Sequence, residues 1–267
     1  MKFKDKRILV TGGSSGIGFA TGRRLLERQA RLVISGRRQG VLNEAVTGLS
    51  EFGEVAGVCA DIATSEGRAE TLKQTISILG GLDVLVNNAG GIRAGSIQDL
   101  EESEIIKMLD VNLLAPILLT KVALPALRAG GDSMVVNISS ALALVGIPFY
   151  TVYAAAKAGL AQFGECLRRE LKGEGVHVMT VYPGGTDTPL MKTSNAGPAL
   201  GFTLEKTDTV AEAIITGMKD DAFTVIRAGE QRREMIALNR TDPAQLGAHF
   251  AKLKDALAVA VKDHAAL

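Results

Sequence analysis

The residues that most clearly could take part in catalysis are a tyrosine and a lysine four positions apart, Tyr153 and Lys157, with three alanines between them. On a helix, positions i and i+4 lie on one face, so the phenol and the ammonium would be neighbours. A free phenol has a pKa of about 10 and is a weak acid/base at neutral pH. A nearby ammonium stabilises the phenolate and lowers that pKa. An exposed helix surface can carry the same pair, so the surrounding residues decide its meaning.

A glycine-rich stretch is the second group of residues that could do chemistry. Positions 11–18 read Thr-Gly-Gly-Ser-Ser-Gly-Ile-Gly, with Gly12, Gly16 and Gly18 in fixed spacing. Glycine lets the backbone turn sharply and approach a ligand closely. The start of the following helix would present unpaired N–H groups and the positive end of its dipole to a phosphate. The stretch predicts a phosphate-binding loop, and the alternative is a purely structural strand-to-helix turn.

Both groups lie within an alternation of short apolar runs and longer helical patterns. This alternation predicts a doubly wound parallel sheet with helices on both faces, in one domain over residues 1–267. Ligands of such sheets bind beyond the carboxyl ends of the strands. The seven predicted strands are 7–10, 31–35, 54–59, 83–86, 133–138, 176–181 and 223–227. The predicted helices are 16–29, 38–51, 66–79, about 100–129, 153–172 and 209–219.

These motifs together resemble a known family. The loop at 11–18 follows the first strand, Asp61-Ile62 follows the third, and Asn-Asn-Ala-Gly at 87–90 follows the fourth. With Tyr-x-x-x-Lys at 153–157, they resemble the single-domain short-chain dehydrogenases/reductases. The resemblance runs from about residue 6 to residue 227. It implies a Rossmann-like α/β fold of about seven parallel strands and hydride transfer between a nicotinamide cofactor and a carbonyl or secondary alcohol.

The resemblance also implies a catalytic set. Tyr153 would donate the proton in reduction and accept it in oxidation, and Lys157 would also bind the nicotinamide ribose. Ser140 lies thirteen residues before Tyr153, which matches the spacing in the family, and its hydroxyl would bind the substrate oxygen. Ser139 is expected to be structural. Asn112 resembles the family asparagine that holds a water on the proton relay, and a helix-surface asparagine is the alternative.

The end of the second strand indicates which cofactor binds. An acidic residue there would bind the ribose 2′-hydroxyl and repel a 2′-phosphate. Here Gly36 stands where NAD-preferring relatives tend to carry Asp, and Arg37 follows. A guanidinium can clamp a phosphate bidentately, and Ser14 could add a hydroxyl. The prediction is NADP(H) rather than NAD(H). The alternative is that Arg37 and Arg38 only solvate a helix start, where two cations would oppose the helix dipole.

Further cofactor contacts follow from the resemblance. The pair at 61–62 would contact adenine, and Thr188 would bind the nicotinamide carboxamide. The family often has Val or Ile where Thr186 stands. The predicted cofactor-binding residues are Gly12, Ser14, Ser15, Gly16, Ile17, Gly18, Arg37, Asp61, Ile62, Asn88, Ala89, Gly90, Tyr153, Lys157, Pro183, Gly184, Thr186 and Thr188.

Two segments depart from the strand–helix alternation. Residues 184–206 are rich in Gly, Pro and Thr and are expected to form a mobile substrate lid with an apolar underside. Residues 230–267 are expected to form a helical tail. Its helix would start at Asp242-Pro243, with Leu246, Phe250, Leu253 and Leu257 on one face. That stripe must pack against the body of the protein or against another subunit.

The expected walls of the pocket are apolar, which suggests a small-molecule substrate with apolar parts. The predicted wall residues are Ile92, Leu142, Ile147, Phe149, Leu190, Met191 and Phe202. Arg93 is expected to be a solvated loop residue, and the alternative is that it reaches a substrate carboxylate.

Composition narrows the possible partners and the compartment. The chain is 46% hydrophobic and 22% charged with a net charge of +1, so no excess of positive charge indicates nucleic-acid or membrane binding. Charged residues interrupt every apolar run, and no signal peptide is evident, so a cytoplasmic protein is expected. Two cysteines, Cys59 and Cys166, are too few for a disulfide framework and are expected to be buried thiols. The three histidines lack the spacing of metal ligands, so no metal site is expected.

Three functions fit this fold. The first is an active carbonyl reductase or alcohol dehydrogenase. The second is a cofactor-binding redox sensor or scaffold without catalysis, against which the intact Ser-Tyr-Lys-Asn set argues. The third is a dehydratase or epimerase, against which the glycine spacing and the short chain argue. The resemblance further implies a homodimer or homotetramer, formed through the long helix and the helix of Tyr153. The expected contact face comprises Gly159, Leu160, Phe163, Cys166 and Leu167.

Overall fold

The computed structural model describes residues 1–267. Its strands are β1 (Arg7–Thr11), β2 (Arg31–Gly36), β3 (Val55–Cys59), β4 (Val84–Asn87), β5 (Ile92–Arg93), β6 (Ser133–Ile138), β7 (Val176–Pro183), β8 (Thr224–Arg227) and β9 (Ala265–Ala266). Its α-helices are α1 (Gly16–Leu26), α2 (Gln39–Ser50), α3 (Ser65–Leu79), α4 (Glu102–Leu109), α5 (Ala115–Gly130), α6 (Thr151–Glu170), α7 (Thr207–Lys219), α8 (Glu230–Thr241) and α9 (Pro243–Val261).

Seven strands form one parallel sheet in the order β3-β2-β1-β4-β6-β7-β8. The chain order reverses between β1 and β4, so the carboxyl ends of these two strands open a crevice. The predicted doubly wound parallel sheet of about seven strands is therefore confirmed. The small second sheet pairs β5 with β9 in antiparallel fashion.

The sheet separates two hydrophobic layers. In β1, Ile8 and Val10 pack into one layer while Leu9, between them, packs into the other. Helices α1, α2 and α7 cover the first layer, and α3, α5 and α6 cover the second. These three apolar side chains are fully buried, and the burial of each stabilises the fold by roughly 1.5–3 kcal/mol. Burial on both faces explains why the strands are continuous apolar runs.

The predicted long helix over 100–129 is interrupted. Helix α4 ends at Leu109, a π-helical turn spans Asp110–Leu114, and α5 begins at Ala115. Pro116, in the first turn of α5, has no N–H and cannot donate to the carbonyl four residues earlier. Next to it, the Ala115 N–H donates to the Asp110 carbonyl five residues earlier, which is the hydrogen bond of a π-helical turn. Pro116 is therefore the local signal for this break, and helical periodicity alone does not reveal it.

Smaller differences from the prediction concern the ends of two helices and the exposure of individual side chains. Helix α1 ends three residues before the predicted position 29, and α6 begins two residues before Tyr153. Both cysteines are free but exposed, so the prediction of buried thiols was wrong. Leu160 and Leu167 of the expected subunit-contact face are buried within the subunit. Leu167 belongs to the hydrophobic layer beneath α6, and neither leucine is exposed on an outer face.

The segment after β7 and the tail enclose one end of the sheet. Residues 184–206 contain two short 3₁₀ turns, and a parallel bridge between Thr186 and Glu205 closes the base of the segment. The tail has two helices rather than one, because α8 precedes the predicted α9. Asp242 caps α9 through the Gln245 N–H at 2.9 Å, as its sequence predicted. No helix has the length and apolar character needed to cross a membrane.

The apolar stripe of α9 packs against the body of the same chain. Leu246, Phe250 and Leu257 are buried, whereas Leu253 is only half-buried. They share a hydrophobic cluster with Tyr150 and Phe202. The tail thus closes over the carboxyl ends of the strands and does not extend away from them.

Candidate active site

One cavity of about 510 Å³ lies at the carboxyl ends of the central strands. Every predicted catalytic residue lines it, and so does every predicted cofactor-binding residue except Gly18. A Cβ on Gly18 would lie 2.4 Å from Asn88 Nδ2 and 2.5 Å from the Gly12 carbonyl oxygen. Gly18 therefore permits close packing beneath the loop and does not face the cavity.

The glycine loop joins β1 to α1 and leaves anion-binding groups free. Gly12 and Gly16 have φ angles of +62° and +55°, which favour glycine, and a Cβ on Gly12 would lie 2.8 Å from Ala89 Cα. Helix α1 begins after Ser15, which makes no side-chain capping bond, and its first turn contains no acidic residue. The first N–H groups of α1 therefore have no acceptor within the helix, and they lie where a phosphate would be stabilised.

The Asn-Asn-Ala-Gly turn fixes this loop to the neighbouring strand. Asn88 Nδ2 donates to the carbonyls of Thr11 and Gly12 at 2.9 and 3.1 Å. The Thr11 hydroxyl accepts the N–H groups of Asn88 and Ala89 at 3.0 and 3.1 Å. The sequence motif assigns no role to Thr11, and in the structure it is the residue that joins the two loops.

At the end of β2 the cavity is cationic. Arg37 and Arg38 both line it, both are exposed, and neither forms an ion pair. A Cβ on Gly36 would lie 3.3 Å from the Ser14 hydroxyl oxygen. The space that an acidic side chain would take at position 36 is therefore bordered by the Ser14 hydroxyl group.

Helix α6 carries Tyr153 and Lys157, which are 8% and 4% exposed. The Lys157 ammonium donates to the Ile138 carbonyl at 2.9 Å and lies 5.8 Å from the Tyr153 ring centroid. The Ser139 hydroxyl donates to the Lys157 carbonyl at 2.7 Å, which ties β6 to α6 and fits the structural role predicted for it. The Ser140 hydroxyl accepts the Leu142 N–H at 3.1 Å. Its own proton therefore stays available for another acceptor.

Asn112 is fully buried in the π-helical turn, so the helix-surface alternative is wrong. Its Nδ2 donates to the Gly91 carbonyl at 2.7 Å and to the Met108 carbonyl at 2.9 Å. A Cβ on Gly90 would lie 2.7 Å from Asn112 Oδ1 and 3.4 Å from Lys157 Nζ. Gly90 therefore leaves open the space between the amide and the ammonium.

Burial controls the protonation of the two central groups. It raises the pKa of Tyr153 to about 12, although a hydrogen bond from Ser140 opposes this shift. It lowers the pKa of Lys157 to about 8. The sequence predicted a lowered pKa for Tyr153 beside Lys157, whereas in the protein without cofactor desolvation of the phenol is the largest effect and raises its pKa. At neutral pH the phenol is protonated and the amine is mostly charged.

The apolar end of the cavity was partly predicted. Of the expected wall residues, Ile92, Leu142, Leu190, Met191 and Phe202 line the cavity, whereas Ile147 and Phe149 do not. Several further lining residues were missed, among them Tyr150, Arg232, Ala266 and Leu267. The last two arrive through β9, where Ala266 pairs with Ile92. A two-residue strand has no periodicity by which a sequence could reveal it.

His264 ties the tail to the cavity walls. It is fully buried, with Nδ1 3.0 Å from the Tyr150 hydroxyl and Nε2 2.9 Å from the Leu190 carbonyl. A neutral ring with its proton on Nε2 satisfies both contacts, because it donates to the carbonyl and accepts from the phenol. Burial lowers the pKa of His264 and so favours this neutral form.

Arg93 has neither of the roles considered from the sequence. It pairs with Glu104 at 3.1 Å and donates to the Lys262 carbonyl at 3.0 Å, so it holds the end of α9. It does not line the cavity. The expected solvated loop arginine is therefore a structural residue.

Comparison with known proteins agrees with this geometry. A family model described as short chain dehydrogenase matches residues 6–199. Ketoacyl reductase HetN of Nostoc sp. is 33% identical over 225 residues, which is 83% of this chain and 78% of that protein. An uncharacterized oxidoreductase of Thermotoga maritima is 34% identical over 200 residues, covering 74% of this chain and 79% of that protein. A short chain dehydrogenase from Burkholderia cenocepacia, crystallised in complex with NADP, superposes with a TM-score of 0.78. It is 30% identical, and the match covers 86% of this chain and 99% of that one.

Proposed function

Because the chain belongs to the short-chain dehydrogenase family, we propose that it is an NADP(H)-dependent oxidoreductase acting on a carbonyl or secondary alcohol. One observation carries the proposal. A single cavity contains the glycine loop with its free amide groups, the cationic end of β2, and the group Ser140, Tyr153, Lys157 and Asn112.

The cavity fits a dinucleotide along its length. The loop at Gly12 and Gly16 and the uncapped start of α1 would hold the pyrophosphate. Arg37 and Ser14 would hold a 2′-phosphate, and the absence of a carboxylate at position 36 favours NADP(H) over NAD(H). Asp61 and Ile62 would contact the adenine. The bound NADP of the Burkholderia relative supports this choice of cofactor.

The nicotinamide end would lie beside the catalytic group. Lys157 would hold the ribose there, and Thr188 would hold the carboxamide. The remaining predicted contacts at Asn88, Ala89, Gly90, Pro183, Gly184 and Thr186 border the same space. When bound, the nicotinamide supplies the hydride in reduction and accepts it in oxidation.

The side chains of this protein would move the proton. Because burial keeps the Tyr153 phenol protonated, it can donate its proton to a substrate oxygen. Ser140 accepts from a backbone N–H, so it would donate its own hydroxyl proton to the same substrate oxygen. The Lys157 ammonium would stabilise the phenolate that remains, since only one of its three N–H donors is bound to Ile138. Asn112 would hold a water that returns the proton to Lys157.

Three further features belong to the proposal. Residues 184–206 would act as a substrate lid, with Leu190, Met191 and Phe202 facing the cavity. The protein would form a homodimer or homotetramer, and exposed Leu114 and Val122 on and next to α5 provide an apolar surface for it. We expect a cytoplasmic location, with which two unpaired cysteines agree.

The test is a titration of the purified protein with NADPH and NADH, followed by nicotinamide fluorescence. NADPH is expected to bind more tightly, and Arg37→Ala should weaken its binding about 10- to 100-fold while changing NADH binding little. Arg240→Ala removes an exposed charge outside the cavity and serves as the control. Turnover of a carbonyl panel with NADPH, abolished in Tyr153→Phe, would complete the case. Binding without any turnover would favour the sensor or scaffold alternative, and preference for NADH would contradict the role of Arg37.

A further inference from the structure

The cavity has a further cationic side chain, in addition to Arg37 and Arg38 at the end of β2 and Lys157 on α6. Arg232, on α8, lines the apolar part of the cavity together with Tyr150, Leu190 and Phe202. Its guanidinium carbon lies 5.5 Å from the Phe202 ring centroid, and its Nη2 donates to the Gly201 carbonyl at 2.9 Å. The charge is therefore held in a fixed place, against an aromatic wall that belongs to the same hydrophobic cluster as Tyr153.

This guanidinium has no acidic partner within the chain. None of the ion pairs includes Arg232, whereas Arg93 and Arg227, which are also partly buried, pair with Glu104 and Glu205. Its Nη1 is buried and has no hydrogen-bond partner. Burial lowers the pKa of Arg232, which is the expected effect of removing a cation from water without a counterion. A guanidinium nevertheless keeps its charge, so an anion beside it would be strongly favoured.

An anion bound at Arg232 would belong to the substrate rather than to the cofactor. The phosphates of a dinucleotide are accounted for by the start of α1 and by Arg37. The other cations of the lining lie elsewhere in the fold, Arg37 and Arg38 at the end of β2 and Lys157 on α6, so Arg232 is the single cation that α8 and the tail contribute. A planar guanidinium fork matches a carboxylate with one N–H for each oxygen, and the single positive charge of Arg232 balances the single negative charge of a carboxylate.

We propose that Arg232 binds a carboxylate of the substrate, which would therefore be an oxo acid or hydroxy acid with an apolar segment between its two polar ends. The reacting carbon would lie beside Tyr153 and the carboxylate beside Arg232. This inference rests on the proposed oxidoreductase function, but the anion site itself can be tested without turnover.

The experiment measures binding of straight-chain monocarboxylates of two to ten carbons, and of the matching primary amides, by calorimetry on the full chain saturated with NADP⁺. The best carboxylate is expected to bind about 10- to 100-fold more tightly than its amide. Arg232→Met should reduce that ratio to about one, and Arg232→Lys should leave an intermediate ratio, because an ammonium keeps the charge without the fork. Arg233→Met is the matched control, since it removes an exposed charge from the next position of α8 and should leave the ratio unchanged.

Kinetics give the second measurement. Oxo acids and their methyl esters are compared as substrates, and a preference for the acid in kcat/KM that disappears in Arg232→Met supports the proposal. Equal binding of carboxylate and amide by the unaltered protein would overturn it. An Arg232→Met variant that weakens the binding of carboxylate and amide in the same proportion would also overturn it, since Arg232 would then only support Gly201 and Phe202. Arg232-dependent carboxylate binding without any turnover would retain the anion site and contradict the oxidoreductase function.

Discussion

Replacing His264 with alanine tests whether the tail is a structural part of the site. The substitution removes two buried hydrogen bonds, one to Tyr150 at 3.0 Å and one to Leu190 at 2.9 Å. Each bond contributes about 1 kcal/mol net, and the buried phenol that loses its acceptor costs about 1 kcal/mol more. We expect the free energy of unfolding to fall by about 3 kcal/mol at pH 7.5, measured by urea denaturation.

The control for this prediction lies on the same tail. His249 is exposed and makes no side-chain hydrogen bond, so His249→Ala should change the unfolding free energy by less than about 0.5 kcal/mol. If the tail opens before the rest of the protein unfolds, the loss of stability would be local. It would then appear as faster hydrogen exchange at the Ala94 amide, which donates to the His264 carbonyl at 2.9 Å. An alanine variant as stable as the His249 control, with unchanged exchange at Ala94, would refute the reasoning.

The same histidine predicts a direction of pH dependence. Burial lowers its pKa in the folded protein, while the unfolded chain takes up the proton at a pH of about 6.5. The unfolded state therefore binds more protons as the pH falls below about 6.5. The contribution to stability is complete above that pH and is lost below it, by at most about 1.4 kcal/mol per pH unit. The slope between pH 6.5 and 5 should be smaller in His264→Ala than in the unaltered protein.

Three further predictions concern the site and its support. Tyr153→Phe should lower kcat by at least about 100-fold and leave NADPH binding within a few-fold, and a variant with near-normal kcat would remove the phenol from the mechanism. Gly90→Ala places a methyl group 2.7 Å from Asn112 Oδ1 and should lower kcat by more than about tenfold, or roughly 1.4 kcal/mol, with a crystal structure to show the displaced amide. Asp83→Asn weakens three bonds from Arg7 at 2.7–2.9 Å and should cost about 2 kcal/mol at pH 7, so equal unfolding curves at that pH would contradict this role. Although burial raises the pKa of Asp83, the bonds from Arg7 lower it overall. The difference in unfolding free energy between the unaltered protein and Asp83→Asn should therefore shrink as the pH falls below about 4.

Local patterns were sufficient to predict the sheet and most of the cavity lining. A parallel strand buried on both faces must be a continuous apolar run, so β1 and its neighbours were recognisable one by one. The positions of Tyr153, Lys157 and the glycine loop followed from spacing along single elements, because a helix and a strand–helix turn have fixed geometry. The carboxyl ends of parallel strands share one edge, so the order of motifs along the chain already predicted that they would meet there.

The remaining features depend on contacts between residues that are far apart in sequence. The pairing of β9 with β5, the burial of His264 and the unpaired guanidinium of Arg232 each join the tail to elements that precede it by 30 residues or more. The raised pKa of Tyr153 likewise reflects desolvation, which depends on everything packed around the ring. The sequence by itself thus determined the fold class and the candidate catalytic groups, because both follow from local spacing. Only the tertiary structure decided the apolar end of the cavity around Arg232, because burial and charge compensation are properties of the assembled chain.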